Sequence, residues 1–293
     1  MRIWPAVALA LLAGCTHRTP PPTQSASPHY VTGAAYQLGG TWHYPQEQFE
    51  YDATGLAERL PDRSGLATDG ELADPQAMAG AHPTLQLPAI VDVTNLETGR
   101  QIRIRLTDRG PANPGRLLGL TRRAADLLGI PEGGAIPVRV ELESADSQAL
   151  RDRLGGGPKG ISAAPVAGVS AESLPPPPGQ ASARSARVAP QRLGDRLDDA
   201  PVGSLERLPD TVRTVAVQPG RLWVRAGQFT LARYAESQKN KLSGVPITVK
   251  RENARRNPGY IVTAGPFASI AAADAGLDQV RRAGVTDAAI VVE

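Results

Sequence analysis

The chain of 293 residues is long enough for two domains of ordinary size with tails. Aromatic residues make up only 4% of it, whereas Gly (30) and Pro (27) are abundant, which argues against one large hydrophobic core. The net charge of +3 is too small to indicate a nucleic-acid partner, and we expect none.

The first fifteen residues predict an export signal and a lipid anchor. One Arg precedes an apolar run over residues 3–12 that is too short to span a bilayer, which indicates a signal peptide. The run ends in Leu-Ala-Gly-Cys, which resembles the bacterial lipobox, and Cys15 is the only cysteine. The resemblance implies that Cys15 is diacylated. The next residue is Thr16 and not the Asp typical of inner-membrane retention. We therefore expect an outer-membrane lipoprotein that faces the periplasm and contains no disulfide.

A Pro/Ser/Thr-rich tether over residues 16–29 leads into the first domain, residues 30–143. Val91 and Val93 alternate with polar residues, and the turn NLETG joins them to a second alternating strand over 102–106. This pattern predicts a β-hairpin.

One helix and a final strand complete this domain. Thr121 as the N-cap and Gly129 as the stop signal bound a helix with Ala124, Leu127 and Leu128 on one face. The alternating segment AIPVRVELE follows as a strand. Six or so short strands with one helix predict a small barrel in a mainly β fold.

The second hairpin strand ends on an acid at a position that strand periodicity predicts to be buried. Ile102, Ile104 and Leu106 share one face, and Asp108 follows on that face, just before Arg-Gly-Pro. A buried carboxylate is costly unless it is hydrogen-bonded or lies in a cleft where its pKa matters. Asp108 is therefore either a cap of the following turn or a functional acid.

Residues 144–220 predict a disordered linker. The segment contains GGGPKG and PPPPG and no aromatic residue, so it cannot bury enough apolar surface to fold. Order is expected to return at residue 221, where Ala-Gly-Gln-Phe (226–229) and Ala-Gly-Pro-Phe (264–267) each close a strand and precede a helix. The duplication predicts a small α+β domain of βαββαβ order over 221–293.

Both domains resemble modules of one known family. The motifs GAAYQLGGTWHYPQEQFEYDATGLAE, TDGELAD, AGAHPTLQLP, VTNLETGR and TDRGP occur in the order found in the rare lipoprotein A (RlpA) family. That resemblance implies a six-stranded double-psi β-barrel acting as a septal lytic transglycosylase. The C-terminal duplication resembles a SPOR domain, which implies binding to peptidoglycan glycan strands that lack stem peptides at the division septum.

In that family an Asp, a His and a Glu are the functional residues, and they map onto Asp108, His82 and Glu71. The implied reaction cleaves a β-1,4 glycosidic bond and leaves a 1,6-anhydro-muramyl end. One carboxyl can donate a proton and take one back, provided that its pKa is raised towards neutrality. The alternatives are a hydrogen-bonded loop residue for His82, which precedes Pro83, and a solvated turn acid for Glu71. No cofactor is implied, and no metal is expected because these residues lack metal-ligand spacing.

In the SPOR-like domain, Gln228, Phe229 and Phe267 are candidate substrate-binding residues. The alternative for the two phenylalanines is a core role in a duplicated fold. Residues 221–293 carry eleven Arg and Lys against six Asp and Glu, which suits the carboxylates of the cell wall. Septal division proteins are candidate partners.

Two departures from the family pattern leave a second function open. After DRGP the family usually continues GRIIDLS, whereas this chain has GRLLGLT, so Gly119 stands where an Asp is usual. The family's aromatic SWYG segment is replaced by Glu-Arg-Leu-Pro at 58–61, and no aromatic ring occurs between Tyr51 and Trp223. Sugar sites benefit from the large, rigid contact area of aromatic rings. The alternative is a catalytically inactive, expansin-like peptidoglycan-binding lipoprotein.

Overall fold

The structure is a computed structural model that describes residues 25–156, 205–253 and 258–293. The predicted signal peptide with Cys15, the first part of the tether, and residues 157–204 of the predicted linker lie outside these ranges. Within them, none of the helices has the length and apolar character needed to cross a membrane.

The first domain, up to residue 156, is built from short strands and short helices. Its elements are β1 (Tyr36–Leu38), β2 (Thr41–His43), β3 (Asp52–Arg59), β4 (Ala79–Ala81), β5 (Ala89–Asn95), β6 (Arg100–Asp108), β7 (Leu118–Leu120), α1 (Arg122–Leu128), β8 (Ala135–Leu142) and α2 (Ser144–Arg153).

A closed barrel forms the centre of this domain. Strands β4, β7, β3, β8, β5 and β6 pair in that order, and β6 pairs back with β4. The β3–β7 and β4–β6 pairs are parallel and the others are antiparallel. The predicted six-stranded barrel is thus confirmed. Its core takes the alternate residues of three neighbouring strands: Val91, Val93, Ile102, Ile104, Leu106, Val138 and Val140.

Local sequence signals explain the hairpin and the helix. The Asn95 side chain accepts hydrogen bonds from the N–H groups of Glu97 and Thr98, which closes the β5–β6 turn. Helix α1 follows Thr121 as predicted and ends at Gly129, whose left-handed conformation (φ +86°) favours glycine. The Thr121 hydroxyl donates to the carbonyl oxygen of Ala77 and does not cap the helix.

The structure differs from the sequence prediction at both ends of the predicted linker. Helix α2 begins at Ser144, and the buried Ser147 hydroxyl exchanges hydrogen bonds with the backbone of Ile90. Strand β9 (Val212–Thr214) pairs with residues 100–102 of β6. Composition concealed both elements because they are held by polar and backbone contacts with the barrel and bury little apolar surface of their own.

The second domain has the predicted βαββαβ order. Its elements are β10 (Leu222–Phe229), α3 (Ala232–Lys241), β11 (Ile247–Asn253), β12 (Pro258–Phe267), α4 (Ile270–Arg282) and β13 (Ala289–Val292). Strands β11, β12, β10 and β13 pair antiparallel in that order. The two Ala-Gly-X-Phe repeats close β10 and β12, and each is followed by a helix.

The barrel contacts the second domain along β3. The Thr54 hydroxyl exchanges hydrogen bonds with the backbone of Val292 in β13. Leu56 of β3 is fully buried and belongs to the hydrophobic cluster of the second domain. Arg116 forms a two-pronged ion pair with Asp274 of α4, with N···O distances of 2.6 and 3.0 Å.

Candidate active site

A cleft of about 320 Å³ opens where β6 leaves the barrel. Its walls come from the end of β3, the loops on either side of Leu72, the turn after β6 and the segment that precedes β9. Asp108 and Glu71 both line it, together with Arg63, Arg105 and Leu60. The structure therefore brings two of the three predicted catalytic residues to one cavity.

Asp108 is the last residue of β6, and both of its carboxylate oxygens are in use. Oδ1 accepts hydrogen bonds from the backbone N–H of Thr68, at 3.1 Å, and from the Thr68 hydroxyl. Oδ2 pairs with the Arg63 guanidinium at 2.6 Å, and the Asp108 side chain is 20% exposed. These partners come from a separate loop, so Asp108 does not merely cap the turn that follows it.

Glu71 is held by a buried arginine. The Arg105 guanidinium donates to both Glu71 oxygens at 2.7 Å and to the carbonyl oxygen of Glu206 at 2.8 Å. Arg105 lies on the face of β6 that periodicity assigns to polar residues, yet it is buried because this pair covers it. Glu71 is thus neither a solvated turn acid nor a free carboxylate.

One tight turn carries both Thr68 and Glu71. Gly70 adopts φ +83°, and the N–H of Ala67 donates to the carbonyl oxygen of Glu71. Asp69, between them, is fully buried and accepts the Glu71 N–H at 3.0 Å. Desolvation raises the pKa of Asp69 to about 8, and the neighbouring Glu71 carboxylate adds to the rise. Asp69 thus supports the turn from inside.

The His82 ring points away from the cleft and is buried behind it. Its Nδ1 accepts the backbone N–H groups of Thr84 and Leu85 at 3.2 and 3.1 Å. Nε2 therefore carries the proton and donates to the Tyr51 hydroxyl at 3.0 Å. Burial lowers the pKa of His82 to about 3, and the Arg109 charge adds to the effect. The backbone N–H of His82 donates to the Asp108 carbonyl oxygen, so His82 supports β6 from behind.

Gln228, Phe229 and Phe267 lie in the second domain, and none of them lines the barrel cleft. The Gln228 amide donates to Glu252 at 3.1 Å. Phe229 and Phe267 are half-buried and pack against the hydrophobic cluster of their domain. These contacts favour the core role for both phenylalanines.

Leu60 occupies the space beside Gly119. A Cβ built on Gly119 would lie 2.4 Å from Leu60 Cδ2 and 2.8 Å from its Cγ. The two departures from the family pattern therefore meet in one place, because Leu60 belongs to the Glu-Arg-Leu-Pro segment. No aromatic ring lines the cleft among the described residues.

Thr68, Arg63 and Arg105 are the site residues that sequence reasoning missed. Thr68 had a weak signal, since it opens the TDG turn beside a predicted site residue. Arg63 and Arg105 had none, because an exposed loop arginine and an arginine on the polar face of a strand are ordinary features. Over residues 25–156, 205–253 and 258–293, no group of three or more His, Cys, Asp or Glu side chains could hold a metal ion.

Comparison with known proteins agrees with this architecture. A family model described as lytic transglycolase matches residues 54–140, and a SPOR domain model matches residues 218–291. Two similar proteins are named endolytic peptidoglycan transglycosylase RlpA. The one from Yersinia pestis is 33% identical over a match that covers 46% of this chain and 44% of that protein. The one from Pseudomonas aeruginosa UCBPP-PA14 is 28% identical over a match that covers 89% of this chain and 77% of that protein. The chain thus spans less than half the length of the Yersinia relative and about three quarters of the Pseudomonas one. A lytic transglycolase barrel, a SPOR domain and similarity to RlpA over 89% of the chain together support its assignment as an RlpA-family protein.

Proposed function

We propose that this protein is an endolytic murein transglycosylase that cleaves glycan strands lacking stem peptides and leaves 1,6-anhydro-muramyl ends. The observation that carries the proposal is the Asp108 carboxyl group, fixed at the end of β6 inside the cleft. The names of the relatives and of the matching family model support the coarser activity, endolytic transglycosylase action on peptidoglycan.

One carboxyl group is sufficient for this reaction. Asp108 would protonate the leaving glycosidic oxygen as the bond to C1 of muramic acid breaks. The C6 hydroxyl of the same sugar then bonds to C1, and its proton returns to Asp108. No water is consumed, so no second carboxylate has to activate one. Glu71 suits this scheme because Arg105 holds both of its oxygens, leaving it a supporting role.

The second domain and the N-terminus supply location. The SPOR domain would hold peptide-free strands near the cleft, consistent with the peptidoglycan binding of such domains. A diacylated Cys15 would place the protein on the periplasmic side of the outer membrane. The SPOR domain would enrich it at the division septum, where division proteins are candidate partners. Incorporation of labelled palmitate, which Cys15→Ser should abolish, tests the anchor.

A non-enzymatic wall-binding protein is the second candidate. The Leu60–Gly119 contact and the absence of aromatic rings from the described cleft lining favour it, since both depart from an ordinary sugar-cleaving site. In this alternative the barrel would bind glycan without cutting it.

The test compares wild type with Asp108→Asn on purified peptide-free strands, with anhydro ends counted by mass spectrometry. Asparagine keeps the size and can accept the Thr68 bonds but cannot cycle a proton. We expect the rate to fall at least about a hundredfold, the lower range for general acid catalysis. Asp126→Asn, which makes the same charge change outside the cleft, should keep the wild-type rate. Binding of the strands by wild type without anhydro ends would favour the second candidate.

A further inference from the structure

Arg63 reaches Asp108 from the solvent side of the cleft. It lies in the loop between β3 and β4, its guanidinium is 2.6 Å from Asp108 Oδ2, and its side chain is 47% exposed. Arg63 also donates a hydrogen bond to the carbonyl oxygen of Leu66 at 3.3 Å. Arg63 therefore covers the catalytic carboxylate and is the more exposed partner of the pair.

The other arginines of the cleft are committed elsewhere. Arg105 is buried and serves Glu71 and Glu206, and Arg109 donates to the backbone carbonyl oxygens of Leu85 and Thr32. Arg122 and Arg207 pair with other acids of the cleft, Asp62 and Asp74. Among the described residues, Arg63 is thus the arginine of the cleft that forms its ion pair with Asp108.

The pair has a direct consequence for the reaction. Thr68 makes two hydrogen bonds to Oδ1, so Oδ2 is the oxygen left to carry the transferred proton, and Arg63 covers it. Arg63 has to leave Oδ2 before Asp108 can donate. A guanidinium leaves a carboxylate most readily when a second carboxylate takes its place, since the planar fork binds either one in the same geometry.

A peptide-free strand supplies that second carboxylate. Each muramic acid without a stem peptide has a free lactyl carboxylate, whereas in a strand with stem peptides the same carbon is part of a neutral amide. We propose that Arg63 is the specificity-determining residue, which exchanges Asp108 for the lactyl carboxylate of a peptide-free strand. The exchange selects the substrate and frees Asp108 Oδ2, which then takes up from solvent the proton that it donates to the glycosidic oxygen. This inference rests on the proposed function and names the group of the substrate that the cleft recognises.

The first test measures selectivity. Peptide-free strands would be compared with the same strands after their lactyl carboxylates have been converted to methylamides. Wild type should cleave the free-carboxylate strands at least about tenfold faster, a ratio within the range of one charge-assisted pair. Arg63→Gln should bring the ratio near one, while Arg122→Gln, a cleft arginine paired with Asp62, should leave it unchanged. A ratio that survives Arg63→Gln would overturn the assignment.

The second test uses binding and does not need turnover. In Asp108→Asn, Arg63 loses its carboxylate partner. A peptide-free tetrasaccharide should therefore bind to this variant several-fold more tightly than it binds to wild type. The methylamide tetrasaccharide should bind to Asp108→Asn and to wild type with the same affinity. Adding Arg63→Gln to Asp108→Asn should remove the gain in affinity for the peptide-free tetrasaccharide. An unchanged affinity in Asp108→Asn would contradict the proposal. If wild type cuts no strand but the affinity gain appears, the proposed function fails while the Arg63 assignment stands.

Discussion

Among the single residues, His82 is a buried neutral base that positions the end of β6. Two backbone donors occupy Nδ1, and the Tyr51 hydroxyl accepts from Nε2. Protonation would force a charge into the core and break both backbone bonds, which is why the pKa is lowered to about 3. The unfolded chain takes up this proton near pH 6.5, so His82 stabilises the fold above that pH and the contribution is lost as pH falls towards 3.

His82→Asn tests this assignment. The Asn side-chain oxygen can accept the same N–H groups but does not titrate. The quantity to compare is the unfolding free energy of wild type minus that of the variant. This difference should fall by about 2 kcal/mol when the pH is lowered from 6.5 to 5. Urea unfolding at both pH values measures it. The raised pKa of Asp69 makes its contribution to stability change with pH in the opposite direction, between about pH 4 and 8. Because both proteins contain Asp69, this contribution cancels in the difference. A difference independent of pH would mean that folded His82 titrates normally.

Strand parity and a breaker are local signals, and they were enough to single out Asp108 as either a turn cap or a functional acid. The partners of Asp108 and Glu71 were beyond local signals. Thr68 and Arg63 come from loops before β4, and their approach depends on barrel closure. Arg105 was predicted on the polar face of β6, and only the tertiary pair with Glu71 explains why it is buried.

At the scale of elements, Leu60 and Gly119 show how β3 and β7 are fitted together. Gly119 pairs with Glu58 of β3, and the Leu60 N–H continues the ladder to the Leu120 carbonyl oxygen at 2.8 Å. The Leu60 side chain then fills the space that a side chain at 119 would need. The aspartate of the family pattern cannot be restored at 119 unless Leu60 moves.

A double-mutant cycle measures this coupling. Gly119→Asp alone should lower the unfolding free energy by about 1–3 kcal/mol, because it overpacks the space against Leu60. Leu60→Ala opens the space, so the double variant should be more stable than the sum of the two single changes by about 1 kcal/mol or more. Urea unfolding of the four proteins gives the values. Additive effects would show that the two residues do not compete.

The order of elements followed from sequence wherever apolar periodicity was strong, as in the β5–β6 hairpin and the duplicated second domain. Helix α2 and strand β9 were missed for a physical reason. Helix α2 is fixed by the Ser147–Ile90 bonds, and β9 by backbone pairing with the edge of β6 that β4 leaves open. Neither contact leaves an apolar pattern in the segment itself.

At the scale of the whole molecule, the Arg116–Asp274 pair joins the barrel to helix α4. The Arg116 side chain is 10% exposed, so the loss of its partner would leave a nearly buried charge whose remaining acidic neighbour, among the described residues, is Glu58 at 3.6 Å. Asp274→Asn should therefore weaken the contact between the two domains by about 1 kcal/mol, given the partial exposure of Asp274.

Calorimetry of Asp274→Asn should show two thermal transitions that lie further apart than in wild type. Asp278→Asn makes the same charge change on an exposed position of α4 and should leave the wild-type profile. Identical profiles for the two variants would mean that the ion pair does not couple the domains.

Cleavage of glycan by Asp108 with an internal nucleophile can be followed in water labelled with ¹⁸O. Peptide-free strands would be digested by wild type and by Asp108→Asn, and the new ends weighed by mass spectrometry. Wild type should give ends that are one water lighter than reducing ends and carry no ¹⁸O, and the variant should give almost none. New reducing ends that contain ¹⁸O, or cleavage that persists in Asp108→Asn, would contradict this mechanism.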